Sequence, residues 1–292
     1  MPYFSIVIPT YNRADLLPRC LDSVLRQNFS DFEVLVVDNF STDSTLEILE
    51  QYRIKDSRIR YKQEHNHGVI AHSRNVGIRM ASGEYICFLD SDDWFSDDKL
   101  SLVYEACEKS SPDVVYGKYQ IMSEGGAGRV IGKQLKKNDK YLELLSEGAI
   151  ICNTTVTVRK ELLFSIGLLS ERPELRAAED FDCWLNLAKA RASFFYIDKI
   201  LCYYWVGSNE SHSERQVQQI INVYDKHLPN LSNKNQKKAE SCRDYSIGIL
   251  YQSLGDREKA MTYYKKALKH LPMNKIFVAF VRVIFVLFNI RG

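Results

Sequence analysis

Hydrophobic positions in the N-terminal part of the chain follow two alternating rhythms. Runs that are apolar at nearly every position, "FSIVIP" (Phe4 to Pro9), "EVLVVD" (Glu33 to Asp38) and "YICFLD" (Tyr85 to Asp90), predict strands buried on both faces, and "RIRYK" predicts another. Between them the spacing turns helical. In "NRADLLPRCLDSVLRQN" the residues Leu16, Leu17, Cys20, Leu21, Val24 and Leu25 make one stripe, with Pro18 in the first turn where its missing N–H costs little. "STDSTLEILEQY" and "VIAHSRNVGIRMAS" predict two more helices, which gives the order β-α-β-α-β-α-β.

Such alternation implies an α/β fold with a mostly parallel sheet covered by helices on both faces. Ligands of these sheets bind beyond the carboxyl ends of the strands. The polar residues expected there are Thr10, Tyr11 and Asn12, then Asp38, then Asp90, Asp92 and Asp93. Carboxylates two apart at a strand end, with no His or Cys beside them, suit a hard divalent ion such as Mg²⁺ or Mn²⁺ that also binds phosphate oxygens. A solvated acidic loop is the plainer alternative for "DSDD" taken alone.

Beyond "DVVYG" the pattern weakens, and "SEGGAGRVIG" reads as a loop or hairpin tip. "NTTVTVRKELLFSIGLL" predicts a strand then a helix. "AEDFDCWLNLAKAR" predicts a helix with Phe181, Trp184, Leu185 and Leu187 on its apolar side, and "SFFYIDKILCYYWV" reads as an aromatic strand. Near Ser232 the texture changes. Residues 241–274 predict two amphipathic helices about "LGD" that resemble a single tetratricopeptide repeat through Gly248, Tyr251, Gly255, Ala260, Tyr264, Ala267 and Pro272. One copy is too few for independent stability, so this hairpin is expected to lean on other parts of the chain. The final "KIFVAFVRVIFVLFNIRG" is apolar except at Arg282 and Asn289, and short for a membrane span. With Lys265, Lys266, Lys269, His270, Lys275 and Arg291 around it, it suits a helix lying on an anionic membrane surface, a core helix or a homodimer contact. The expected division is 1–230 for the main domain, 231–274 for the hairpin and 275–292 for the tail.

Composition narrows the function. The chain has 292 residues, 45% hydrophobic and 26% charged, with a formal charge of +2, so a nucleic-acid partner has no electrostatic support. Its seven cysteines are scattered without a C-x-x-C pair, which fits a reducing cytosol better than a disulfide framework. "MPYFSIVIPTYNR" lacks a basic start and a long apolar run, so export is not expected. No G-x-G-x-x-G and no P-loop follow a strand, and His65, His67 and His72 lack a zinc ligand set.

"SIVIPTYNR", "VLVVDNFSTDST", "NHGVIAHSRNVGIRMASGEYICFLDSDD" and "AEDFDCWLNLA" together resemble the ordered motifs of family 2 glycosyltransferases, over roughly residues 3 to 210. The resemblance implies a GT-A fold, Rossmann-like, and inverting transfer of a sugar from a nucleotide-sugar donor, with a UDP-sugar the first expectation. It places Asp38 on the donor base, Pro9 and Tyr11 around the base, Arg74 on the nucleotide and Asp90 on the ribose. Asp92 would hold Mn²⁺ or Mg²⁺, with Asp93 supporting or sharing it. Asp180 would be the catalytic base, with Glu179 beside it orienting the acceptor; the plainer reading is an acidic first helical turn, which suits Asp182 best. Many relatives carry Y-R-x-H near the diphosphate, whereas this chain has "YYWVGSNESH", with Tyr204 and Val206 at those places. His212 is the remaining candidate for the metal–diphosphate site, or a solvated histidine.

The function implied is a hexosyltransferase-type enzyme of polysaccharide, O-antigen or capsule assembly, acting on a saccharide or lipid-linked saccharide acceptor. It would be cytoplasmic and peripheral on the inner face of the cell membrane. The competing class is a non-catalytic nucleotide-sugar-binding protein whose hairpin recruits a partner enzyme.

Overall fold

Every residue of β1 (Phe4–Thr10) and β2 (Phe32–Asp38) is buried in the computed structural model, which describes residues 1–207 and 214–288. The two strands pair in parallel from Phe4 opposite Phe32 to Thr10 opposite Asp38. β3 (Ile59–Gln63) flanks β2, and β4 (Tyr85–Phe88) flanks β1, both in parallel. The connections are α1 (Leu17–Leu25), α2 (Thr45–Lys55) and α3 (Ile70–Met80). Pro18 lies in the first turn of α1, and Cys20, Leu21 and Val24 are buried along it. α3 lies close over β1 because of Gly77, where a Cβ would stand 2.5 Å from Val7 Cγ1. These four parallel strands put Thr10, Asp38 and Asp90 at one rim, as the apolar runs predict.

Past β4 the sheet becomes mixed. β5 (Trp94–Phe95), α4 (Lys99–Ser110), β6 (Val114–Ser123) and β7 (Gly126–Ile131) come next, and β6 and β7 form the hairpin read in "SEGGAGRVIG". After α5 (Lys140–Glu147) come β8 (Thr157–Arg159), α6 (Lys160–Ser165), α7 (Glu179–Lys189) and β9 (Phe194–Trp205). The strand order is β3-β2-β1-β4-β8-β6-β9-β5, with β8 antiparallel to both neighbours and β6 parallel to β9. The residues Asn153–Thr155, read from sequence as strand, form a short 3-10 turn ahead of β8.

The chain divides into two compact units: one holds the sheet, and the other holds Lys137–Ala149 together with the helices after β9. Those helices are α8 (Glu214–His227), α9 (Asn233–Ser253), α10 (Arg257–Ala267) and α11 (Met273–Phe288). α9 and α10 are the hairpin predicted from the repeat-like spacing, turning at Gly255 with φ 79°. Gly248 lies flat against Tyr264, whose ring carbons would stand 2.6 Å from an added Cβ. α5 joins this helical unit: Tyr224 Oη donates to the Leu145 carbonyl (2.8 Å), and Lys275 Nζ donates to the Ser146 carbonyl (2.6 Å) and pairs with Glu147 (3.0 Å). α11 buries Ala279 and ties Arg282 to Gln252 (3.3 Å), while Ile276, Val278, Phe280 and Phe277, the last 75% exposed, face outward. Among the described residues no helix is long and apolar enough to cross a membrane.

Candidate active site

The loops that follow β1, β2 and β3 are sewn together by short polar side chains. The Asn12 N–H donates to Ser41 Oγ (2.8 Å), the Thr42 N–H to Asn12 Oδ1 (2.8 Å), and the Arg13 N–H to Thr45 Oγ1 (3.0 Å). Asn12 and Phe40 take left-handed backbone angles, φ 48° and 55°, which turn the chain sharply off each strand. Asp38 organises this corner. It is 0% exposed; its Oδ2 accepts from the Ser41 N–H (3.0 Å) and Gln63 Nε2 (3.1 Å), and its Oδ1 accepts the Ser41 hydroxyl. Pro9 is buried inside β1, and Tyr11 stands 50% exposed on the rim. Phe40, also exposed, stacks on His65 at 3.8 Å between ring centres.

At the end of β4 the acidic residues divide by environment. Asp90 Oδ1 accepts from Arg74 Nη2 (2.6 Å) and Asn153 Nδ2 (3.2 Å). Asp93 is fully buried, accepting from the Thr154 hydroxyl and the Trp205 N–H (2.9 Å); burial, then Asp90 and Asp92, hold its pKa well above the usual carboxylate range. Behind it the buried Lys99 donates to the Thr154 carbonyl (2.7 Å), and burial pushes its pKa down to about 8. Asp92 differs: its side chain is 33% exposed, and its nearest cation is Arg13 at 3.6 Å. Burial of its carboxylate and then the neighbouring Asp90 raise its pKa.

Arg74, from α3, joins this strand end to α7. Its guanidinium is buried, pairing with Asp90 (2.6 Å) and with Glu179 (2.5 Å). Burial alone would lower its pKa, and the two carboxylates outweigh that and raise it. The first turn of α7 carries Glu179, Asp180 and Asp182, where the helix N-terminus favours negative charge. Asp182 is buried and accepts from Asn186 Nδ2 (3.1 Å), within its own helix. Asp180 is only partly buried and takes the N–H of Phe181 on Oδ1 (2.7 Å). Burial, then Glu179, push its pKa up to about 7.

Arg19, on α1, is a site residue with no signal in the apolar stripe of its helix. Its guanidinium lies 3.9 Å from the Trp94 ring centre and 4.5 Å from that of Trp205, and Nη2 donates to the Asp92 carbonyl (2.9 Å). Asn153, Thr154 and Lys99 are likewise partners that motif spacing does not reveal.

The residues expected at the site therefore meet at one rim in different states. Asp90, Arg74, Glu179 and Asp180 form one connected cluster. Arg74, expected on a nucleotide, spends both terminal nitrogens on carboxylates, and Asp38 and Asp93 are each hydrogen-bonded by the protein on both oxygens. His212 lies outside the described residues. His72 bonds Glu171 (2.9 Å) rather than joining His65 or His67 in a metal set. Among the described residues no group of three or more His, Cys, Asp or Glu side chains is arranged to hold a metal. Asp92 still fits a hard divalent ion: it is a partly exposed carboxylate under repulsion from Asp90, with one long ion pair. An ion there would draw its remaining oxygens from water and a diphosphate.

The chain is similar to known proteins in sequence and in fold. Residues 5–164 match the family described as Glycosyl transferase family 2. TuaG of Bacillus subtilis, named for teichuronic acid biosynthesis, is 30% identical over 216 residues, covering 73% of this chain and 83% of TuaG. Other curated relatives are longer, and the match spans 40% of one and 28% of another. The fold resembles that of Staphylococcus aureus TarS 1-349 in complex with UDP-GlcNAc, with a TM-score of 0.64, 21% identity, and 98% of this chain and 89% of that one covered. It also resembles mannosyltransferase PcManGT of Pyrobaculum calidifontis with GDP-Man and Mn²⁺, at a TM-score of 0.66 and 18% identity, over 98% of this chain and 81% of that one. With the family match covering more than half of its length, and a relative 30% identical over most of both chains, the chain belongs to glycosyl transferase family 2.

Proposed function

We propose that this family 2 glycosyltransferase moves one sugar from a nucleotide-sugar, a UDP-sugar first among the candidates, to an acceptor hydroxyl by single displacement with inversion. The observation that carries the reading is the Arg74 bridge, which sets the β4 carboxylates beside an Asp180 whose pKa is pushed up to about 7. A carboxylate with that pKa is a stronger base than an ordinary aspartate and is available to accept a proton at and above neutral pH. The acceptor oxygen forms its bond to the anomeric carbon as the carbon–oxygen bond to the diphosphate breaks, with the electron pair leaving on the diphosphate oxygen. The acceptor proton passes to an Asp180 carboxylate oxygen, and Glu179, anchored by Arg74, lines the acceptor side.

Mn²⁺ or Mg²⁺, held through Asp92 with Asp93 behind it, would supply Lewis-acid neutralisation of the leaving diphosphate. Asp90 faces the ribose, and Tyr11 and Pro9 frame the base. Asp38 fixes the loop below the base, and a base that bonds its carboxylate displaces one of the donors it now has from Ser41 or Gln63. The acceptor is a saccharide of a cell-surface polymer, free or lipid-linked, in line with relatives named for teichuronic acid and poly(ribitol-phosphate). The outward Phe277 and Phe280 of α11, with Lys265, Lys266 and Lys269 shortly before them in the sequence, suit peripheral contact with the inner membrane face.

Calorimetry with UDP, GDP and dTDP, with and without Mn²⁺, on the wild type and Asp180→Asn tests this reading. Metal-dependent binding of one nucleotide by both proteins, with transfer lost in the variant by about 10³-fold, is expected. Binding of none by folded protein, or unchanged turnover in the variant, overturns it.

A further inference from the structure

Three guanidinium groups stand around the β4 carboxylates, and they differ in what they have left to give. Arg74 is buried and committed to Asp90 and Glu179. Arg19 is clamped between the rings of Trp94 and Trp205 and donates to the Asp92 carbonyl. Arg13 is neither buried nor clamped. Its side chain is 44% exposed, its ion pair with Asp92 is long at 3.6 Å, and Nη1 makes one further bond, 3.4 Å, to the Asn12 carbonyl. The backbone beneath it is fixed, because the Arg13 N–H is held by Thr45 Oγ1 and the Ala14 N–H by Asp43 Oδ2 (3.1 Å). An exposed, loosely bonded guanidinium on an anchored backbone, at the carboxyl end of β1, is suited to exchange one anion for another.

From this contrast we infer that Arg13 is a diphosphate-binding residue, held on Asp92 until a nucleoside diphosphate group arrives and then transferred to its phosphate oxygens. The inference rests on the proposed transferase reading and adds a second cation at the leaving group. When the bond to the anomeric carbon breaks, the diphosphate gains a negative charge, and the arginine fork matches phosphate oxygens in pairs. The exchange also frees the Asp92 carboxylate at the moment a divalent ion enters with the donor. Arg13 therefore competes with the metal on the empty protein and cooperates with it on the loaded one. Lysine at this position would keep the charge and lose the paired geometry.

The test uses the full chain and Arg13→Gln, with Arg13→Lys as the conservative variant. Two quantities are measured: Mn²⁺ binding alone, from the free-ion electron paramagnetic resonance signal, and calorimetric affinity for the nucleoside diphosphate and monophosphate of the base the wild type prefers, both with Mn²⁺ present. In Arg13→Gln, Mn²⁺ alone binds more tightly than in the wild type. The diphosphate weakens about tenfold relative to the monophosphate, and Arg13→Lys falls between the two. An unchanged ratio of diphosphate to monophosphate affinity overturns the inference and leaves the transferase reading standing. Weakened binding of Mn²⁺ alone also overturns it, since Arg13 would then be a prop for Asp92. A wild type that binds no nucleoside diphosphate removes the transferase reading and this inference with it.

Discussion

Asp38 and Asp92 end neighbouring regions of the same rim and are opposites. Asp38 has no exposed surface and collects donors from Ser41 and Gln63, whereas Asp92 is a third exposed and meets one arginine at 3.6 Å. A carboxylate saturated by its own loop holds that loop in shape. One left under-bonded beside a like charge stores an electrostatic need that a cation can meet. The difference shows that acidic residues at a strand end are sorted by their partners rather than by their position in a motif. Asp93, one residue from Asp92, shares features of both: it is buried and accepts one bond on each oxygen, yet Asp90 and Asp92 press on it as like charges.

The largest effect that separates the two classes is expected at Asp92. Asp92→Asn should lower transfer by about 10³-fold and abolish metal-dependent nucleotide binding while the melting temperature holds, since the fold draws little from that side chain. Asp38→Ala should do the reverse in kind. Leaving the Ser41 N–H and the Gln63 amide without their acceptor should cost about 1–3 kcal/mol, read as a drop in thermal midpoint. An Asp38→Ala protein that melts normally but loses nucleotide would break the comparison. A third effect, visible only as a dependence on pH, is expected at Asp180, which like Asp92 is only partly buried. Its pKa rises from the ordinary 3.8 to about 7 in the fold, so the native state holds the proton more tightly and stability declines as pH climbs through that interval. Asp180→Asn should therefore match the wild type near pH ~4 and melt higher above pH ~7. A variant that melts lower at high pH would show that the carboxylate is stabilised by partners instead.

Much of the first half was legible because buried parallel strands are apolar at almost every position, as in Phe4 to Ile8, and the helices between them keep one stripe. The site was legible as far as its ends of strands and helices. What escaped were contacts with no local period. Asn153 reaches Asp90 and Thr154 reaches Asp93 across 63 and 61 residues, from a 3-10 turn that reads as strand because its threonines are β-branched. Arg19 lies opposite the apolar side of α1, and only the folded positions of Trp94 and Trp205 give it a purpose. The bonding of Asp38 and Asp93 is equally invisible in sequence, since a motif names the acid and not its donors. α5 has a stripe of its own in Tyr141, Leu144 and Leu145 but is only eight residues long, and its place among helices that come much later in the chain has no local signal.

That last feature bears on how the chain is made. α5 leaves the ribosome before β8 and β9 and long before α8 and α9, so Leu144 and Leu145 have no cover while the sheet is being completed. Synthesis in that order gives a nascent chain an interval of exposed apolar surface, the condition under which chaperones bind and premature arrest leads to aggregation. The helical unit therefore cannot be removed by a stop codon after β9 without leaving α5 stranded, and a shortened enzyme needs the loop from Lys137 to Ala149 excised as well.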